Sequence, residues 1–309
     1  MTAASNKKLI TSEEWCARAE DHRATLEPYC TAWRSRRSSG DVHPIHDFLF
    51  TYYPFKPGRL LQWHPSFEEC LEEGRTASLP SFYKAKPYLR KAGVVFQDTT
   101  VLRPKDSERL RFSHNLLQLT ESRSPHFSCY GLHEWAMVYR CANPRHAERA
   151  PFRLSSDEIA SFVESQRLAC SHFDATRFFT PAALPLNRLS PSLMTRDQHE
   201  QPGCIHANMD LYKWAFKAMP WIGSDLLRKT FLLALELREL DMKASPYDLR
   251  AFGYEPVKIE TPEGRTEYVR QQTFLSKKAS ALRVELIAKL AGLLAMAEVR
   301  PSSSLSPTS

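Results

Sequence analysis

Trp15, Ala19, His22, Leu26, Tyr29 and Trp33 recur at alternating steps of four and three residues, the spacing that lines one face of an α-helix. Thr11 and Glu14 ahead of them have the separation of a capping box, which predicts where this helix begins. Pro28 inside the stripe predicts a kink or a division, so that the helix does not run straight to Ser38. The run Phe48, Leu49, Phe50, Tyr52, Tyr53 predicts a buried helix or turn closed by Pro54 and Pro57. Residues 74–105 give no readable period. Helical patterning returns at 106–121 and again from Ser155 or Ser156, where Asp157 and Glu158 suit a helix N-terminus.

From Cys170 to Pro191 the chain is punctuated by Pro181, Pro185 and Pro191, which predicts an irregular segment. Helices are then expected from Asn208 to Met219 and from Ser224 to about Lys243. In the second, Leu226, Leu227, Phe231, Ala234, Leu235 and Leu240 form the apolar face, and Glu236, Arg238 and Glu239 take the polar side. A short extended piece at Pro256–Glu260 precedes a C-terminal helix of about 262–298. The expectation is therefore a mainly α fold: one compact helical catalytic domain over 11–300 with long irregular connections, a disordered N-terminus at 1–10 and a polar, disordered tail at 301–309.

With 42% hydrophobic residues there is ample material for a core. The start, MTAASNKK, lacks the apolar run of a secretory signal, and no window approaches the roughly 18 apolar residues of a membrane span, so a cytoplasmic protein is expected. Its seven cysteines then read as thiols. Lys and Arg outnumber acids 42 to 35, and the resulting charge of +7 admits a polyanionic partner, although a run such as Arg34, Arg36, Arg37 reads more simply as a solvated helix end.

Three times a cysteine comes shortly before a histidine that is followed by an acid: Cys129, His133, Glu134; Cys170, His172, Asp174; Cys204, His206, Asp210. Thiolate, imidazole and carboxylate are the metal-binding side chains, so His133, His172 and His206 are candidate ligands for iron or zinc if folding brings them into one pocket. His206 and Asp210 are one helical turn apart, so either they share an ion or a hydrogen bond, or His206 caps the helix and Asp210 pairs with a nearby Lys or Arg; His133 and Glu134 project about 100° apart and do not both face one pocket. Each thiol taken singly reads better as packing than as a ligand.

Aromatic residues surround these groups. Trp135, Phe173, Tyr212 and Trp214 are candidates for binding a flat substrate, with Asp210, Asp174 and Glu134 as catalytic acids. Tyr247 and Asp248, after a turn at Pro246, are expected to close over a pocket that Asp47 reaches from the N-terminal side. Glu239 and Asp241 are expected on the surface.

The stretches HPIHDFLFTYYPFKPGRLLQWHP, CYGLHEWAMVYR, CSHFDATRFFTPAALPLN, EQPGCIHANMDLYKWAFK, ELRELDMKASPYDLRAFGYEP and IETPEGRTEYV, which lie between residues 43 and 269, resemble a bacterial, chiefly actinobacterial family labelled 3-methyladenine DNA glycosylase. The resemblance implies hydrolysis of the N-glycosidic bond of alkylated adenine, with DNA or a nucleobase-containing small molecule as partner. No Gly-rich helix-hairpin-helix segment accompanies it. The resemblance places the glycosylase first; the residues alone slightly favour the alternative, a metal-dependent hydrolase or oxygenase with a His, Cys and carboxylate site. A non-catalytic polar core is the third reading, and it must offset the cost of burying many ionisable groups.

Overall fold

The computed structural model describes residues 7–74, 79–142 and 150–298; the expected C-terminal tail and the first six residues of the expected N-terminal one lie outside them. Strand β1 (Lys8–Ile10) leads into α1 (Ser12–Ser39), α2 (Phe48–Tyr52) and α3 (Pro57–Leu60). Strands β2 (Glu69–Glu72), β3 (Tyr88–Lys91) and β4 (Val94–Gln97) follow. Then come α4 (Pro104–Glu121), α5 (Leu132–Ala136), α6 (Ser156–Ser165), α7 (Phe173–Thr176), α8 (Arg196–His199), α9 (Ile205–Lys217), α10 (Ser224–Lys243) and α11 (Pro262–Glu298). The chain is mainly helical, as its periodicity predicts.

A small sheet was not legible. Its order is β1-β2-β4-β3, with β1 parallel to β2 and the other pairs antiparallel. Lys8–Ile10, expected to be disordered, pairs with Glu69–Leu71, and Ile10 is buried with Trp15, Leu71 and Val95 in a core of its own. The β3–β4 turn is made by Ala92 and Gly93, both at positive φ, a two-residue hairpin that lacks the usual Asn-Gly or Asp-Gly signature.

Thr11 caps α1 by accepting from the Glu14 N–H, as its spacing predicts. The helix does not divide at Pro28; it runs on to Ser39. Pro28 is exposed, so water can take the carbonyl its missing N–H leaves unpaired. Burial of Trp15, His22, Leu26 and Cys30 on both sides of it outweighs the cost of about 3 kcal/mol. The large core is built chiefly by α9, α10 and α11. Within it Arg283 of α11, wholly buried, bonds Glu121 of α4 and Asn208 of α9, so one guanidinium ties three helices together. No helix among the described residues is long and apolar enough to cross a membrane.

Candidate metal centre and its cavity

His133 and Glu134 sit on the five-residue helix α5. Gly131, its N-cap, has φ +75°, a conformation side chains rarely adopt, and a Cβ there would stand 3.3 Å from the Tyr268 hydroxyl. Trp135 Nε1 donates to the Ala244 carbonyl at 2.8 Å, pinning α5 to the end of α10. On so short a helix the two polar neighbours diverge: His133 turns toward α9 and α10, while Glu134 turns away to Arg238 at 2.5 Å.

The three predicted histidines converge. The His133 and His206 rings meet edge to face with centroids 4.4 Å apart, and the His206 and His172 centroids are 5.5 Å apart. Asp241 of α10, expected at the surface, is wholly buried beside them. One ligand atom each from His133, His206 and Asp241 lies within 4.8 Å of the other two. His133 Nε2 is 2.6 Å from Asp241 Oδ1, yet neither atom is in line for a hydrogen bond. The other Asp241 oxygen accepts from Arg238 at 2.9 Å, and Cys129 Sγ lies 4.0 Å from His133 Nδ1. Burial lowers the basicity of both imidazoles. For His133 the carboxylate of Asp241 and the sulfur of Cys129 more than reverse this, whereas His206, beside His133, stays well below the ordinary range. Burial would raise Asp241, but His133 and then His206 and Arg238 drive it down, so it is an anion.

A second trio, His172, Asp174 and Asp210, adjoins the first. It is filled by the protein's own cations. Lys213 bonds Asp210 and lies 3.2 Å from Asp174; Arg196 lies 2.7 Å from Glu200 and 3.4 Å from Asp210; Arg177 lies 3.6 Å from Asp174. Tyr53 donates to Asp210 at 2.8 Å. Burial would raise the Asp210 carboxyl, but Lys213 and His172 hold it far below the usual carboxylate range. Asp210 therefore does not pair with His206, its neighbour one turn away. His172 Nε2 stands 3.4 Å from Asp210 and 3.5 Å from Glu200, and neither of its ring nitrogens makes a hydrogen bond.

A cavity of about 550 Å3 reaches the first trio through His133. Cys129, Cys170, Cys204, Gly131 and Tyr268 also line it, so the three sulfurs that precede the three histidines are gathered on its wall. A sulfur contact with Cys170 and then the facing His133 pull the Cys129 thiol well below its ordinary range against burial. The same contact and burial push Cys170 up, and burial pushes Cys204 up to about 12.

The remaining candidates are dispersed. Trp135 and Tyr212 are core residues, at 0% and 1% exposure, and Tyr212 packs against Tyr53, Phe55 and Phe231, so neither is placed to bind a substrate. Phe173 is half-buried on α7, away from the cavity wall, and Trp214 faces a different groove. Tyr247 and Asp47 do line one pocket, of about 120 Å3, with Glu134 and Arg238 also on its wall, but Asp248 turns out to Arg250 and Arg36 grips the Asp47 carboxylate.

Arg238, expected on the polar side of α10, and Asp241, expected at the surface, are both buried at the site. They continue, at steps of four and three, the stripe Leu227, Phe231, Ala234, so the signal was their position on the apolar face of α10. Comparison with protein-family models, with curated proteins and with solved structures found no match to this chain.

Proposed function

We propose that this chain is a metal-dependent enzyme, an oxygenase with iron or a hydrolase with zinc, whose ion is held by His133, His206 and Asp241 and whose small-molecule substrate occupies the cavity bounded by His133 and Cys129. The observation that carries this reading is the convergence of two imidazoles and one carboxylate, buried and drawn from three helices, with His133 and Asp241 in contact but not hydrogen-bonded. Donors about 2 Å from one ion stand about 3–3.5 Å from each other, so the trio needs little movement to close on it. Two histidines and a carboxylate leave coordination positions open for water or substrate, the arrangement used by non-haem iron oxygenases and by catalytic zinc sites.

The surrounding residues fit the same reading. Arg238 fixes the second oxygen of Asp241 and is itself fixed by Glu134, while the other His133 nitrogen faces Cys129, so both ligands are oriented from behind. His172 is the nearest further nitrogen donor. Charge fits the same reading: two buried carboxylates, Glu134 and Asp241, share the guanidinium of Arg238, and the remaining positive charge is a proton held on His133 beside Asp241, which a bound cation would displace.

Cleavage of an N-glycosidic bond in alkylated DNA draws less support from the geometry. Asp210, Asp174 and Glu134, the acids it would employ, are engaged by Lys213, Tyr53, Arg196 and Arg238, and none of them lines the cavity. One guanidinium stands on the cavity wall, that of Arg123, and it bonds the carbonyls of Asp197 and Glu200.

Elemental analysis of the purified chain tests the proposal: about one equivalent of iron or zinc is expected, as for a single three-ligand site. After chelation, restoring that ion at a hundred times its dissociation constant should stabilise the fold by about 2.7 kcal/mol. A chain that purifies without metal and melts at the same temperature with or without either ion overturns the reading. Release of alkylated adenine from DNA by the metal-free chain would establish the glycosylase in its place.

A further inference from the structure

A second concave surface lies outside the candidate metal centre. It is a groove of about 780 Å3 between α3, α4 and α9, and its walls carry Arg59, Arg103, Arg109, Arg196 and Lys217 against two acids, Asp106 and Glu108. The cations are not all spent on carboxylates. Asp106 is shared by Arg103, at 2.7 Å, and Arg109, so it balances one of the two. Arg196 is committed inward to Glu200 and Asp210. Among the described residues Arg59 and Lys217 form no ion pair; each rests on a ring instead, Arg59 at 5.9 Å from the Phe216 centroid and Lys217 at 4.9 Å from that of Trp214.

The local field is strongly positive. Lys217 is exposed, and desolvation of its ammonium with the neighbouring Lys213, Arg196 and Arg109, against Asp210, lowers its affinity for a proton; an anion seated beside it would relieve that repulsion. The face of Trp214 is already crowded by Arg196, Lys213 and Lys217, all within 5.4 Å of the indole centroid, so the indole serves as a cationic anchor rather than a stacking surface. The open ring is Phe112, 48% exposed and edge-on to Trp214 at 6.0 Å, with Leu193, 60% exposed, on the same groove. Phosphate demands clustered, unpaired guanidinium and ammonium groups, and a flat heterocycle demands an exposed aromatic face; the groove offers both together.

We propose that this groove binds a phosphate monoester carried on a planar ring, of the nucleoside monophosphate class, with the phosphate on Arg59, Lys217 and Arg109 and the ring on Phe112. The site is independent of the metal reading, since none of His133, His206 or Asp241 lines it.

Calorimetric titration of the full chain with AMP, adenosine, inorganic phosphate and a ten-residue oligothymidylate tests it. AMP should bind, with adenosine and phosphate each at least tenfold weaker, because each supplies half of the recognition. Lys217→Glu should weaken AMP at least tenfold. Arg59→Glu, a change at a more peripheral cation that keeps the test valid if the first variant folds poorly, should do the same. Phe112→Ala should lower AMP affinity while leaving inorganic phosphate unaffected. AMP affinity equal to that of adenosine, or unchanged in Arg59→Glu, overturns the proposal. An oligonucleotide bound at least a hundredfold more tightly than AMP, with a steep salt dependence, overturns the small-molecule form and assigns the groove to a nucleic-acid strand.

Discussion

The two histidine–carboxylate clusters stand one imidazole apart and are balanced in opposite ways. Around His172, three carboxylates (Asp174, Asp210 and Glu200) meet three cations (Lys213, Arg196 and Arg177), so the charge is settled within the protein. Around His133, two carboxylates meet one fixed cation, Arg238, and the other charge facing Asp241 is the proton that this carboxylate holds on His133 at 2.6 Å. Ligand-type side chains in proximity are common to both. What separates a cation site from a buried ion-pair network is whether the counter-charge is fixed, as on Lys213, Arg196 and Arg177, or is a proton that an ion can displace, as on His133.

The largest expected consequence concerns stability. Arg238→Met strands two buried carboxylates and should cost about 3–5 kcal/mol in denaturant unfolding. Lys213→Met leaves Asp210 with Arg196 and Tyr53 and should cost about 1–3 kcal/mol. Equal losses would show that the two clusters are balanced alike and remove the distinction.

An effect that is absent at neutral pH lies outside both clusters and serves as a reference for them. Burial lowers His64 to about 3, with Arg59 and His22 contributing, so it is neutral in the folded chain and takes a proton near its ordinary value only when unfolded. The unfolded state therefore binds more protons between about pH 6.5 and 3. Stability from this residue is complete above 6.5 and falls by up to about 1.4 kcal/mol per unit as the pH drops through that window. His64→Gln should flatten this part of the pH–stability curve; an unchanged slope would show that His64 is not kept neutral by the fold.

Much of this arrangement was legible in advance, and the exceptions have physical causes. The repeated cysteine, histidine and acid modules pointed to a convergence of His133, His172 and His206, and neighbouring rings do stand 4.4 and 5.5 Å apart, although of the three only His133 lines the cavity. Helices α4, α6, α9, α10 and α11 followed from their caps and apolar periods. The sheet did not, since three- and four-residue strands are too short to establish a period of two, and the parallel partner of β1 lies 61 residues away. Asp241 was misplaced because its charge was weighed and its helical phase was not. Of the two readings of Asp210, pairing with a nearby Lys or Arg is the one the structure shows: Lys213, three residues on along α9, and Arg196 engage it, and Tyr53 from the loop after α2 donates to it. Trp135 and Tyr212 read as substrate-binding because aromatic side chains near acids look the same in sequence whether they line a cavity or fill a core.

The difference between the clusters reduces to where a metal ion resides. Metal content should be measured on three proteins purified side by side: the unaltered chain, Asp241→Asn and Asp210→Asn, each first shown to unfold cooperatively. Asp241→Asn removes a proposed ligand and should lower bound iron or zinc at least tenfold, the scale of loss seen even for changes behind the ligands. Asp210→Asn alters only the cluster that Lys213 and Arg196 already neutralise, and its metal content should match that of the unaltered chain. Full metal content in Asp241→Asn, or loss confined to Asp210→Asn, would contradict the assignment of the ion to His133, His206 and Asp241.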